Sequence, residues 1–198
     1  MNEVAVTSYP PHLAPPILEV NGAFISQTSN ILNYLAPILG LDGTEGLADP
    51  DQIAVRRAHV NQLVLTALDL NNEVHDTHHP IGAGLYFEDQ VNEAKRKALD
   101  VRTNRIPKFL GHFALAIESN VEGEGKRLIG SKMTTADLVL FHLVNGIVHA
   151  FPRRMETMKA DPKYRKVFDL HDEVAADDKI AAYLKSNRRA PYGMGIFR

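Results

Sequence analysis

The sequence contains no cysteine and no tryptophan among its 198 residues. The absence of cysteine excludes disulfides, cysteine-ligated zinc and a cysteine nucleophile within the chain. An excess of charge of one sign is also missing, because 22 Lys and Arg residues oppose 24 Asp and Glu residues. A chain with this balance lacks the electrostatic footprint of a protein that binds nucleic acid or an anionic membrane.

Long hydrophobic runs are missing as well. The most apolar segment, Ala136–Phe151, is interrupted by Asp137, His142, Asn145 and His149, and it is too short to span a bilayer. The N-terminus has neither the basic start nor the apolar centre of a secretory signal. With 44% hydrophobic and 23% charged residues, the composition is that of a globular chain and not of a disordered one. The sequence therefore predicts a soluble, cytoplasmic protein.

A β-hairpin is predicted near the N-terminus, after four prolines within residues 10–16. Two short apolar runs, Ile17–Val20 and Ala23–Ser26, flank Asn21-Gly22. This pattern is a strong local hairpin signal, because a type I′ turn needs positive φ at both central residues. Pro16 stands directly before the first run, either as a loop proline or as a cis-proline that presents backbone groups to an extended, peptide-like ligand.

The rest of the chain is predicted to be helical, with boundaries set by Gly and Pro residues. Thr134 and Asp137 form a capping box before a helix that is apolar nearly all round, which indicates a central, buried helix. A bend is expected near Pro107. The predicted helices cover residues 29–38, 50–75, 87–118, 138–148, 161–174 and 178–186.

The junction between the hairpin and the first helix has the sequence Ser26-Gln27-Thr28-Ser29. Hydroxyl groups and free backbone amides at a helix N-terminus suit a carboxylate ligand. Simple N-capping by Thr28 or Ser29 is the alternative at this point.

A cluster of histidines follows the long helix. Asn71, His75 and either His78 or His79 recur at helical spacing and can share one helix face. His75, His78 and His79 with Asp76 include metal-ligand residue types, but their spacing matches no zinc signature, and no metal site is predicted. Histidines also suit the negative end of a helix dipole. Capping of the helix end and lining of a substrate cleft therefore both stay open.

These segments together carry a family resemblance. Residues 15–22 (PPILEVNG) and residues 27–35 (QTSNILNYL) resemble the glutathione transferase pattern of cis-Pro strand, hairpin, Gln-Ser and helix. The capping box Thr134–Asp137 is similar to that of the family's all-helical C-terminal domain. Residues 75–80, 151–152 and 186–189 look like stretches common in fungal members. The resemblance covers nearly the whole chain from about Leu13.

The resemblance implies a mainly α fold, in which a glutathione transferase-like all-helical C-terminal bundle, residues 47–198, follows a truncated thioredoxin-like unit. The truncated unit, residues 1–46, would carry the glutathione site. Family members have a further strand–helix–strand segment ahead of this point, with the Tyr, Ser or Cys that activates the glutathione thiol. We therefore expect an incomplete sheet. We also expect a homodimer, because a second subunit would cover the unpaired strand edge and the exposed apolar surface.

The resemblance also implies a site for glutathione as the cofactor. By position, Gln27 and Thr28 would hold the γ-glutamyl carboxylate. The backbone of Pro15 and Pro16 would pair with the cysteinyl unit. Pro15 has no N–H group, so only its carbonyl can take part in that pairing.

The residue that would activate the glutathione thiol has no match in this sequence. Such a thiol, with an ordinary pKa near 8.5, needs a hydrogen-bond donor or a positive field to ionise near neutral pH. Tyr9 and Ser8 are the nearest hydroxyls and are the catalytic candidates. The alternative is a site without a dedicated activator that relies on helix dipoles or on a partner subunit. Asn71, His75 and Tyr86 are the candidates for binding the substrate, although core packing is the more common role for an aromatic such as Tyr86.

The expected function is that of a glutathione-dependent enzyme acting on a small apolar electrophile. Its reaction would be either conjugation or an addition–elimination that isomerises an alkene and returns glutathione. The alternative from another class is a non-catalytic binding or scaffold protein that keeps the helical bundle without the activity.

Overall fold

The computed structural model describes residues 9–193 of the chain. Within these residues the only sheet has two antiparallel strands, β1 (Ile17–Val20) and β2 (Ala23–Ser26). Ile17 lies opposite Ser26, and Val20 lies opposite Ala23. The turn residues Asn21 and Gly22 have φ angles of 49° and 80°, so the hairpin prediction is confirmed.

Helices make up most of the remaining structure, and the mainly α fold class is confirmed. A short 3₁₀ turn at Phe87–Gln90 precedes the helix that begins at Val91, and another at Pro162–Tyr164 precedes the helix that begins at Arg165. A π-helical turn at Val101–Arg105 precedes the helix that begins at Ile106. The α-helices are α1 (Thr28–Leu39), α2 (Pro50–His75), α3 (Val91–Asp100), α4 (Ile106–Ser119), α5 (Thr135–Ala150), α6 (Pro152–Lys159), α7 (Arg165–Ala176) and α8 (Asp178–Leu184).

The second long helix differs from its prediction, because residues 87–118 do not form one continuous α-helix. The amide of Ile106 donates to the carbonyl of Val101, five residues earlier, which is the hydrogen bond of a π-helical turn. Pro107 then falls in the first turn of α4, where its missing N–H leaves no hydrogen bond unmade.

Helix α6 was not predicted from the sequence. It is short and largely polar. The structure shows that Pro152 occupies its first turn. Met155 and Met158 are buried in the core, so the helix is held by packing and not by a strong local signal.

Helix α5 forms the centre of the core, as predicted. It packs against α2, α6 and α7, and the core-facing side chains include Leu140, Val144 and Ile147. Its N-terminus is held by Asp137, a fully buried carboxylate. One oxygen of Asp137 accepts from the amide and hydroxyl of Thr134, at 2.7 and 2.9 Å, and the other accepts from the Leu128 amide at 2.9 Å. The predicted capping box is confirmed.

The segment after α1 connects the hairpin and α1 to the helical bundle. The Thr135 amide at the start of α5 donates to the Leu41 carbonyl, at 3.0 Å. The buried Asp42 carboxylate accepts from Arg57 of α2 at 2.8 Å and from the Thr44 hydroxyl at 2.9 Å. Burial raises the pKa of Asp42, but these hydrogen bonds outweigh burial and lower the pKa overall. Within residues 9–193, no helix is long and apolar enough to cross a membrane.

Candidate functional site

The hairpin and α1 meet at a backbone position that most side chains avoid. Gln27, the residue before α1, has φ 72° and ψ 120°, outside the regions that L-residues usually occupy. A backbone conformation of this kind costs on the order of 1–3 kcal/mol and is most often found at ligand-binding sites. The Gln27 side chain is exposed, so core packing does not explain why the conformation is kept.

The N-terminus of α1 offers free hydrogen-bond donors next to Gln27. Among residues 9–193, no side chain caps the backbone amides of this first turn, and the turn itself contains no acidic residue. The N-capping alternative for Thr28 or Ser29 is therefore not what the structure shows. Unclaimed amides at the positive end of a helix dipole favour a carboxylate.

The proline segment lies at the same end of the hairpin. The Pro15–Pro16 peptide bond is cis, as the second interpretation of Pro16 expects, whereas presentation of its backbone to a ligand stays a prediction. Ile17 and Ser26 form the last residue pair at the open end of the hairpin. Pro16 precedes Ile17 and Gln27 follows Ser26, so both residues lie directly beside that pair. The structure thus brings Pro15, Pro16, Gln27 and Thr28 to one exposed end of the hairpin. Their binding of glutathione stays a prediction.

A buried histidine that no sequence pattern indicates supports this junction. His12 is 5% exposed, and its Nδ1 lies 2.8 Å from the Ser26 hydroxyl. Its Nε2 is buried and has no hydrogen-bond partner in the described part of the chain. His12 thereby fixes the residue directly before Gln27. No motif could reveal this contact, because it joins residues 14 positions apart that only the folded hairpin brings together.

The two hydroxyl candidates for activating a thiol have different outcomes. Tyr9 is 97% exposed, so its side chain is not held at the junction by packing. Ser8 lies outside the described residues. The proposed catalytic role of either residue stays a prediction.

The predicted substrate-binding residues are spread around the end of α2. Asn71 is half-buried, whereas His75 is exposed beside Asp76, with 3.3 Å between their side chains. Tyr86 is 80% exposed, so the core-packing interpretation of this residue is wrong. Residues 9–193 contain no group of three or more His, Cys, Asp or Glu side chains that could hold a metal ion.

An apolar pocket of about 480 Å³ lies beyond the end of α2, but Asn71, His75 and Tyr86 are not among its lining residues. Their neighbours Thr77, His78 and Phe87 line it, together with the C-terminal end of α5 and one face of α3. The His78 and Phe87 rings stack, with 4.4 Å between centroids and 23° between planes. Burial, followed by the nearby His79 and His75, lowers the pKa of His78.

Residues 75–187 match the family model "Glutathione S-transferase, C-terminal domain". This match covers more than half of the chain, so the chain belongs to the glutathione S-transferase family.

Solved structures share the fold at low sequence identity. Prostaglandin synthase D of Nilaparvata lugens is 18% identical, with a TM-score of 0.68 over 95% of this chain and 80% of that chain. Rat hPGDS complexed with a quinoline is 18% identical, with a TM-score of 0.64 over 90% and 75% of the two chains. The monomeric glutathione S-transferase Na-GST-3 of the hookworm Necator americanus is 19% identical, with a TM-score of 0.64 over 90% and 76%. No curated protein sequence matches the chain significantly.

Proposed function

We propose that the chain is a glutathione-dependent enzyme that acts on an apolar electrophile. The observation that carries this proposal is the Gln27 backbone, held in an unfavourable conformation at the uncapped N-terminus of α1. Such strain persists only where the surrounding structure imposes it, and it is concentrated at functional sites. We also propose that residues 1–46 form the glutathione-binding unit and that residues 47–198 form the helical domain.

The residues at the junction fit the chemical groups of glutathione. The Gln27 side-chain amide can donate to the γ-glutamyl carboxylate, and the amides of Thr28 and Ser29 can donate to the same group. The Pro15 carbonyl can accept the backbone N–H of the cysteinyl unit. The positive end of the α1 dipole also favours thiolate over thiol, which would lower the pKa of a bound thiol.

This chain contains no cysteine, so glutathione, when bound, would supply the thiol. Addition of that thiol to a conjugated alkene gives a conjugate, or, when elimination follows, an isomerised alkene. The chain's own part is to bind the peptide, orient it along the hairpin end and stabilise the negative charge. We propose isomerisation in fungal secondary metabolism as the finer function. The basis is a similarity of the sequence to the shortened glutathione transferase-like olefin isomerase of the fungal pseurotin pathway.

Incubation with glutathione and a polyenone separates the two reactions. We expect an alkene product of unchanged mass with altered coupling constants in its proton NMR spectrum. Conjugation instead adds the mass of glutathione to the product. Omission of glutathione is the control, and isomerisation at the same rate without it would contradict a thiol-dependent mechanism.

A non-catalytic binding or scaffold role is the second candidate. It is favoured by the exposed position of Tyr9 and by the missing N–H of Pro15. The strained Gln27 backbone argues against this second candidate, because a scaffold role needs only the fold. Binding of glutathione without turnover of any polyenone would favour this second candidate.

We also propose that the chain forms a homodimer. Large apolar side chains stand exposed on α1 and α2, among them Ile38 and Leu39 at 63% and 60%, and Val55 and Leu65 at 54% and 45%. Burial of such surface in a second copy removes it from water. Light scattering behind a sizing column is expected to give twice the chain mass of 22.0 kDa. A mass of one chain at micromolar concentration would contradict the dimer.

A further inference from the structure

The proline segment reverses the usual order of burial. Among residues 9–16, His12 is buried and all the others are exposed, including its neighbour Leu13 at 90%. The opposite arrangement is the common one, because a buried polar group needs a hydrogen-bond partner and an apolar group gains from leaving water. The buried position of His12 therefore has a reason other than the removal of apolar surface from water.

The buried His12 imidazole is only half satisfied. Its Nδ1 lies 2.8 Å from the Ser26 hydroxyl, and its ring meets the Phe24 ring edge-on, with 6.4 Å between the centroids. Its Nε2 is buried without a hydrogen-bond partner in the described part of the chain. An unpaired buried nitrogen lowers stability, so an apolar ring of the same size would suit this place better if packing were its only role.

The contact with His12 adds to other hydrogen bonds on either side of Gln27. The Ser26 carbonyl accepts from the Asn30 side-chain amide at 3.3 Å, while the Ser26 hydroxyl lies against His12. The Gln27 carbonyl accepts from the Ile31 amide at 2.9 Å, within the first turn of α1. Gln27 thus stands between two held peptides, and an unfavourable backbone conformation persists only where its surroundings impose it.

His12 also joins the two halves of the junction. It belongs to the segment that carries Pro15 and Pro16, and its partner Ser26 directly precedes Gln27. The contact between His12 and Ser26 therefore sets where the Pro15 carbonyl lies relative to the N-terminus of α1.

We propose that His12 is a positioning residue of the glutathione site, which acts through Ser26 to hold Gln27 at positive φ and to fix the proline segment beside α1. Because His12 is buried, it acts through Ser26 and not by contact with the ligand. This proposal rests on the proposed function, since the site that it organises is the one for glutathione. A half-satisfied histidine is kept at a cost in stability because the geometry of the site depends on it.

Two substitutions at His12 separate positioning from packing. His12→Phe keeps a ring against Phe24 but has no nitrogen for Ser26. We expect it to bind glutathione about tenfold more weakly, with a thermal unfolding midpoint within about 3 °C of the wild type or higher. His12→Asn places a polar atom where Nδ1 stood, so its affinity should stay within about threefold of the wild type, although its smaller side chain lowers the midpoint.

A packing role predicts the opposite order, in which His12→Phe binds as the wild type does and His12→Asn binds more weakly. That order would overturn the proposal. His112→Phe makes the same change at an exposed histidine on α4 and is the matched control, with unchanged glutathione affinity expected.

A double-mutant cycle tests the route through Ser26. Ser26→Ala removes the other partner of the contact, so it should weaken glutathione binding about as much as His12→Phe does. The double variant should then bind about as tightly as either single variant, because both changes remove one interaction. Additive losses, about 100-fold together, would overturn the action of His12 through Ser26.

NMR spectroscopy reads the Gln27 backbone without any ligand. The one-bond coupling between Cα and Hα is smaller at positive φ than at negative φ. In His12→Phe we expect the Gln27 coupling to move toward the value for negative φ, and in His12→Asn to stay as in the wild type. An unchanged coupling in His12→Phe would overturn the proposal. If the coupling moves as expected but the wild-type chain binds no glutathione, the proposed function fails while the hold of His12 on Gln27 is supported.

Discussion

Replacement of Asp137 by alanine is expected to lower the free energy of unfolding by on the order of 4 kcal/mol. The carboxylate is fully buried and accepts three hydrogen bonds, two from Thr134 and one from the Leu128 amide. Its loss leaves buried donors unsatisfied at the start of α5, the helix around which the core is built. Domains are stable by only about 5–15 kcal/mol, so the variant should be largely unfolded at a modest urea concentration.

An exposed helix cap provides the matched control for Asp137. Asp49 caps α2 through one hydrogen bond, from the Asp51 amide at 2.9 Å, and it is exposed. Asp49→Ala is expected to cost only about 1 kcal/mol. Urea denaturation followed by circular dichroism at the helix band compares the two variants. Equal losses would contradict the assignment of the buried capping box as the main support of the central helix.

Replacement of Gln27 by glycine is expected to separate stability from binding. Glycine tolerates positive φ, so the free energy of unfolding should stay within about 1 kcal/mol of the wild type or rise. The same change removes the side-chain amide that would contact the γ-glutamyl carboxylate. Loss of one hydrogen bond to a charged group corresponds to about 10- to 100-fold in affinity.

Two further variants control the Gln27 experiment. Gln27→Ala keeps the backbone strain and loses the side-chain contact, so its glutathione affinity should fall as in Gln27→Gly, and its free energy of unfolding should not rise above that of the wild type. Gln52→Ala removes an exposed glutamine from α2, away from the junction, and should leave affinity unchanged. If Gln27→Gly binds glutathione as tightly as the wild type, the placement of the site is wrong.

Local sequence signals predict part of this fold. Asn21-Gly22 fixed the hairpin turn through positive φ, and Asp49 with Pro50 marked the start of α2, which ends at His75 as expected. The capping box was equally readable, because Thr134 and Asp137 interact across three residues. Features that depend on tertiary packing could not be predicted from local sequence signals. The π-helical turn at Val101–Arg105 is one example.

The candidate site likewise combines features that local sequence signals indicate with features that only the folded chain shows. The residue types at Gln27 and Thr28 pointed to a carboxylate, but the strained Gln27 backbone is visible only in the folded chain. The contact between His12 and Ser26 joins segments that no periodicity connects. The apolar pocket likewise combines residues near position 77, positions 87–98 and positions 149–151, which the sequence keeps far apart.

Calorimetric titration of the unmodified chain with glutathione at neutral pH tests whether the junction at Gln27 binds this peptide. We expect saturable binding at millimolar concentration or below, with a matching rise in the thermal unfolding midpoint, since a ligand that binds the folded state stabilises it. We also expect at least about tenfold weaker binding by Gln27→Gly. Neither heat nor a thermal shift from the unmodified chain at millimolar glutathione would contradict a glutathione site at Gln27.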